Sequence, residues 1–270
     1  MAVEFAAGWI ANSLALLSDA GHMMMDAGAL GLSLFAAWVA KRPGSPSMSF
    51  GYHRAEILGA LANGLLVWLL AGVLIYEAGS RFQAPPSVDG TIVAWTAFAG
   101  LVANLVSMRI LHSRRADSLN VRAAYLHLFT DCLGSVGALI SGLLVWKLGW
   151  LVADPIVTVI VALLMLYSSW RVIRESVGVL MQETPPHLDA ADVLVELQAL
   201  PGVQEAHDLH IWAVSTGRLA LSVHLISPEG EGVLTRANAL LEEKYAIVHT
   251  TIQVEHPERF RSERCYDCAL

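Results

Sequence analysis

Long apolar runs separated by short polar turns fill the first two thirds of the chain, and a finer mixture of apolar and polar positions fills the rest. The runs extend from about Leu14 to Ala40, from about Ala55 to Tyr76, from about Thr91 to Leu111, from about Ala123 to Leu148, and from after Asp154-Pro155 to about Tyr167–Val172. Each is near or above the ~20 residues that carry a helix across a bilayer. Lys41-Arg42-Pro43-Gly44 and Pro85-Pro86 end the first two. The opening stretch, Met1–Ile10, is about half of the ~20 required and predicts a first helix cut short. It lacks the basic start and small-residue cleavage site of a signal peptide. Residues 1–182 therefore read as an all-α membrane bundle of six helices.

Past Thr184-Pro185-Pro186 the spacing shortens. Val193, Leu194, Leu197 and Leu200 keep helical intervals until Pro201-Gly202. Leu209, Ile211 and Ala213, then Leu219, Leu221, Val223 and Leu225, alternate as half-buried strands joined near Gly217. A helix over about Val233–Tyr245 and a strand over about Thr250–Glu255 complete an α-β-β-α-β order, which predicts a ferredoxin-like α+β domain over residues 183–270.

Composition agrees with the pattern. Of 270 residues, 55% are hydrophobic and 15% charged, against about 25% charged in a soluble domain. Lys41, Arg42, Arg54, Arg109, Arg114, Arg115, Arg122, Arg171 and Arg174 fall on one side of the predicted bundle, and Arg81 and Lys147 on the other. The richer side is cytoplasmic by the positive-inside rule, and so is the domain that follows the last span. Residues 1–182 carry a net charge of +1 and residues 183–270 a net charge of −8, which argues against nucleic acid and suits a domain that handles cations. Cys132 lies in an apolar run and Cys265-Tyr266-Asp267-Cys268 is an isolated CxxC, so the three cysteines make no disulfide framework.

Two apolar segments carry the same polar insertion. His22 and Asp26 stand four residues apart in Gly21-His22-Met23-Met24-Met25-Asp26, and His127 and Asp131 repeat the interval. On a helix that spacing puts both side chains on one face. Two such pairs supply the four nitrogen and oxygen donors of a tetrahedral zinc site. An Asp at the centre of a membrane helix costs roughly 2.5–3.5 kcal/mol, so each needs a reason. The plainer reading is helix–helix hydrogen bonding, with the carboxyls neutral. Structural bonding does not call for a matched pair, and the repetition favours a divalent metal in transit. Gly21, Gly28 and Gly134 beside the pairs read as close helix packing.

Several stretches together carry a resemblance: Ser13-Leu14-Ala15-Leu16-Leu17-Ser18-Asp19-Ala20-Gly21-His22 through Asp26, Ser49-Phe50-Gly51-Tyr52-His53-Arg54-Ala55-Glu56-Ile57-Leu58-Gly59-Ala60-Leu61, His127 through Asp131, Ala153-Asp154-Pro155, His207-Asp208-Leu209-His210-Ile211-Trp212 and Thr251-Ile252-Gln253-Val254-Glu255. In this order they resemble the zinc-transporter branch of the cation diffusion facilitators. The resemblance implies a homodimer of six-helix protomers with cytoplasmic ferredoxin-like domains, exporting Zn²⁺ in exchange for protons. It also implies that His22, Asp26, His127 and Asp131 form the transport site, and that His at the first position goes with zinc and cadmium selectivity. In the tail it implies a regulatory zinc site of His207, His224 and Glu255 that bridges two domains, with His249, Cys265 and Cys268 as additional ligands. Arg54 and Glu183 are expected to pair between the two layers.

Besides the short first helix, the sequence departs from the family pattern in two places. Gly44-Ser45-Pro46-Ser47-Met48 has none of the Asp and His of an extra loop site found in some bacterial members, and Val248-His249 keeps one of two adjacent histidines. The connection from His112 to Asn120 is not His-rich, which points to a bacterial inner membrane. Two other functions fit the ligands less well. A membrane-embedded zinc hydrolase would want an HExxH-type base and an open coordination position. A membrane-anchored metal sensor would have no use for matched pairs inside its anchor.

Overall fold

The computed structural model describes residues 1–112, 119–215 and 217–257, with the side chains of 119–124, 126 and 127 also left aside. The helices are α1 (Ala2–Ile10), α2 (Leu14–Ala40), α3 (Ala55–Gln83), α4 (Gly90–His112), α5 (Leu119–Leu148) and α6 (Ala153–Leu180), followed by α7 (Ala190–Gln198), β1 (Glu205–Ser215), β2 (Arg218–Ile226), α8 (Gly230–Tyr245) and β3 (His249–Glu255). Five of them, α2 to α6, are long and apolar enough to cross a membrane.

Two helices outrun the apolar stretches that announced them. α3 continues seven residues beyond Tyr76, and Arg81 Nε donates to Glu77 Oε1 at 3.3 Å along that extension. α6 continues past Val172 through Arg174 and Glu175 to Leu180, and Gln182 then turns the chain at φ 61° before Thr184-Pro185-Pro186. A helix does not stop where the hydrocarbon stops, because its hydrogen bonds are internal and polar side chains on the extension stay hydrated.

The chain divides into two compact units, residues 1–33 with 60–173, and residues 34–59 with 174–270. In the first, small residues let helices approach. A Cβ on Gly142 of α5 would lie 2.6 Å from the Ala94 nitrogen of α4, and one on Gly90 of α4 would lie 2.5 Å from the Trp146 nitrogen of α5. Such backbone contact is how helices gain packing where lipid removes the hydrophobic drive. Ala71, Leu74 and Ala78 of α3 pack with Ala162 and Met165 of α6, and Ala15 and Leu16 of α2 with Val93, Ala97 and Ala138.

In the second unit, β1 and β2 form an antiparallel hairpin around Gly217 (φ 73°), and β3 joins β2 in parallel after α8, giving the sheet order β1-β2-β3. Val193 and Leu197 of α7 and Val233, Ala237 and Leu241 of α8 close on Leu209, Ile211, Leu221, Val223 and Leu225 of the sheet. The Asp189 side chain caps α7 by accepting from the Ala191 nitrogen at 2.8 Å. The loop before α3 lies within this unit, where Arg218 Nη1 and His53 Nε2 are 2.8 Å apart and Phe50 meets His249 edge-on. The expected pairing of Arg54 with Glu183 is not found among the described residues; Glu183 turns back instead, its carboxylate lying where a Cβ on Gly178 would stand.

Candidate metal centre

Helical geometry assembles the first cluster. His22 and Asp26, one turn apart on α2, approach to 3.7 Å (Nε2 to Oδ2), and Asp131 of α5 brings Oδ1 to 4.0 Å from the same His22 nitrogen. One ligand atom from each of the three residues falls within 4.8 Å of the others. Donors around a tetrahedral zinc sit roughly 3.4 Å apart, given bonds of about 2.0–2.2 Å, so His22 stands within about 0.6 Å of that spacing from each of the two carboxylates. His127 lies one turn before Asp131 on α5, and its side chain is outside the described residues.

Gly134, one turn beyond Asp131, faces a second carboxylate. A Cβ there would stand 3.0 Å from Asp19 Oδ1, and Asp19 is itself buried on α2, three residues before His22. Buried Glu4 of α1 lies 2.8 Å from the corresponding position over Gly100 of α4. The signal for both is an acidic residue inside an apolar stretch, without the four-residue His/Asp interval. Cys132, next to Asp131 in the chain, brings its Sγ to 3.6 Å from Met108 Sδ of α4.

The second cluster is built by sheet register. His207 of β1 and His224 of β2 are direct partners in the antiparallel ladder, and their rings meet 5.3 Å apart at 77°. Glu255 ends β3 and spans them: Oε1 is 3.2 Å from His224 Nδ1 and Oε2 is 3.8 Å from His207 Nε2. His249 does not join them. It opens the same strand six residues earlier, about 20 Å away at 3.3 Å per residue, and packs against Phe50. Cys265 and Cys268 lie outside the described residues.

Asp208 was not expected here. It occupies the left-handed region (φ 54°) where the β1–β2 register slips between His207 and His210. This bulge aims its carboxylate at both His210 (Nε2 to Oδ1, 3.0 Å) and the far nitrogen of His224 (Nε2 to Oδ2, 3.7 Å). Asp tolerates the left-handed region better than most residues, which is the local reason the bulge can form at that position.

Comparison with known proteins gives a consistent set of matches. Residues 1–181 match the family model described as the cation efflux transmembrane domain, and residues 185–257 match the cation efflux protein cytoplasmic domain. The chain is 38% identical to a probable zinc transporter protein of Dictyostelium discoideum, over 99% of this chain and 59% of that protein. It is 40% identical to the metal cation efflux system protein CzcD of Cupriavidus metallidurans, over 93% of this chain and 81% of the relative. It is 41% identical to the cadmium, cobalt and zinc/H(+)-K(+) antiporter of Bacillus subtilis, over 94% and 84% respectively.

Proposed function

The chain belongs to the cation efflux family of membrane transporters, and from that premise we propose that it exports divalent metal cations, Zn²⁺ first and Cd²⁺ second, from the cytoplasm in exchange for protons. It is a transporter and not an enzyme, so the hydrolase reading is set aside. The observation that carries the proposal is the meeting of His22 and Asp26 on α2 with Asp131 on α5, inside helices of membrane length.

His127 completes the set as the fourth donor. Two carboxylates neutralise a divalent ion, which lowers the cost of holding that charge away from water. Two imidazoles make the site reversible. Zinc and protons compete for the same ring lone pair, so a proton gradient between two exposed states favours loading on one side and release on the other. When the site faces the cytoplasm zinc displaces protons; when it faces outward protons displace zinc. No covalent or redox step is involved.

The finer reading follows from the same family. Helices α1–α6, residues 1–182, form the six-helix bundle, and residues 183–270 form a cytoplasmic ferredoxin-like domain through which two copies pair. His207, His224 and Glu255 bind a regulatory zinc ion there. The membrane is the inner membrane of a bacterium. The proposal is tested by reconstituting the full chain in sealed vesicles and following zinc uptake and internal pH together. Zinc entry accompanied by proton exit is expected. Zinc entry without any proton movement, or no zinc entry, would remove the exchanger reading.

A further inference from the structure

Ala153-Asp154-Pro155 takes no part in either cluster, yet Asp154 is one of the few charged side chains wholly buried in the structure. Its carboxylate does not serve its own helix. Oδ1 accepts from Ser13 Oγ at 2.5 Å and from the Ala15 nitrogen at 3.3 Å, while Oδ2 accepts from the Leu14 nitrogen at 2.7 Å. Ser13 Oγ accepts from the Leu16 nitrogen at 3.3 Å, and the Ser13 nitrogen itself reaches the Gly8 carbonyl at 2.9 Å. The four amides that a helix leaves open at its start are thus all satisfied in α2, two of them by a carboxylate from α6.

The corner before α2 is held as well. Asn12 sits at φ 52°. Arg81 of α3 donates from Nη1 to the Asn12 carbonyl at 2.7 Å, with the same nitrogen 3.9 Å from Asp154 Oδ2. Asn12 Nδ2 donates to the Ser87 carbonyl at 3.3 Å. Leu14, Ala15 and Leu16 are buried in the protein, so amides that lose such a partner find no water to replace it, and a negative charge at a helix start also favours the dipole.

His22 lies eight residues beyond Leu14, about 12 Å along the α2 axis at 1.5 Å per residue. We propose that Asp154 is a positioning residue for the metal-bearing helix: by capping α2 from α6, it makes the start of α2 follow α6 and so sets where His22 and Asp26 stand as the bundle changes state. This inference rests on the transport reading of the His22 cluster. It predicts a loss of turnover with little change in the zinc concentration for half-maximal rate, because the ligands are untouched and only their delivery between states is altered.

The test separates a tether from a mere cap. Asp154→Ala removes both, whereas Asp154→Ala combined with Ser13→Asp restores a cap from the chain of α2 itself, Asp being a strong capping residue, without the link to α6. In full-length protein reconstituted in vesicles, Asp154→Ala should cut zinc turnover by about tenfold or more with KM within about twofold. The double variant should regain thermal stability but not turnover. Recovery of turnover in the double variant, or normal turnover in Asp154→Ala, would overturn the proposal. If both fail to fold, Ser13→Ala decides, since it removes one of the bonds to Asp154 and leaves the other two: a fall of about threefold or more at constant KM is expected, and unchanged turnover refutes it. Absence of zinc flux in the unaltered chain would instead overturn the transport reading on which the inference stands.

Discussion

His22 offers a neutral nitrogen where Asp26 and Asp131 each offer an anionic oxygen, and that difference bears on selectivity. Replacing His22 with Asp hardens the donor set, which favours ions that prefer oxygen over zinc and cadmium. His22→Asp should therefore narrow the preference for Zn²⁺ and Cd²⁺ over Mn²⁺ in competitive uptake; an unchanged ranking would place selectivity elsewhere. In the tail, His224 lies between Glu255 on one ring nitrogen and Asp208 on the other. His224→Ala should weaken zinc binding at the proposed tail site by about tenfold or more in calorimetry on full-length protein, while Asp208→Asn, acting on the outer nitrogen, should weaken it less. Equal loss in both would mean that Asp208 is a direct ligand.

At the scale of elements, close approach of α4 and α5 through Gly90 and Gly142 leaves no room for a side chain. Gly142→Leu should lower the midpoint of thermal unfolding in detergent markedly, overpacking by several methylenes costing about 1–3 kcal/mol or more; an unchanged midpoint would show that the helices can separate freely. The pair of Lys244 on α8 and Glu196 on α7 behaves oppositely. Hydrogen bonding to Lys244 lowers the Glu196 carboxyl below its ordinary range, and the same contact raises the Lys244 ammonium. Its support is thus present at neutral pH. It fades as acid protonates Glu196 through that lowered value, or as strong alkali discharges Lys244, and it is small because both groups are exposed.

Most elements were legible in the sequence because periodicity and punctuation agree: the run over about Leu14–Ala40 is α2, and the α-β-β-α-β order of the tail follows from helical intervals in two stretches and alternation in three. What escaped is tertiary or local in origin. The extensions of α3 and α6 carry charge beyond the apolar runs. The slip in β1 at Asp208 depends on one residue's backbone, and the capping of α2 by Asp154 joins positions 140 residues apart. His249 shares a tail rich in potential ligands with His207 and His224, but strand spacing separates it from both.

For the whole molecule, the membrane-length helices and the two matched domains are those of a cation efflux transporter. The central claim is that α2 and α5 together hold the transported ion. It is tested most directly by zinc flux into vesicles carrying the full chain, the unaltered protein being compared with Asp131→Ala and His127→Ala, each checked by size to remain a folded assembly. The account predicts rapid flux for the unaltered protein and flux no greater than that of empty vesicles for both variants. Normal flux in either variant would contradict it.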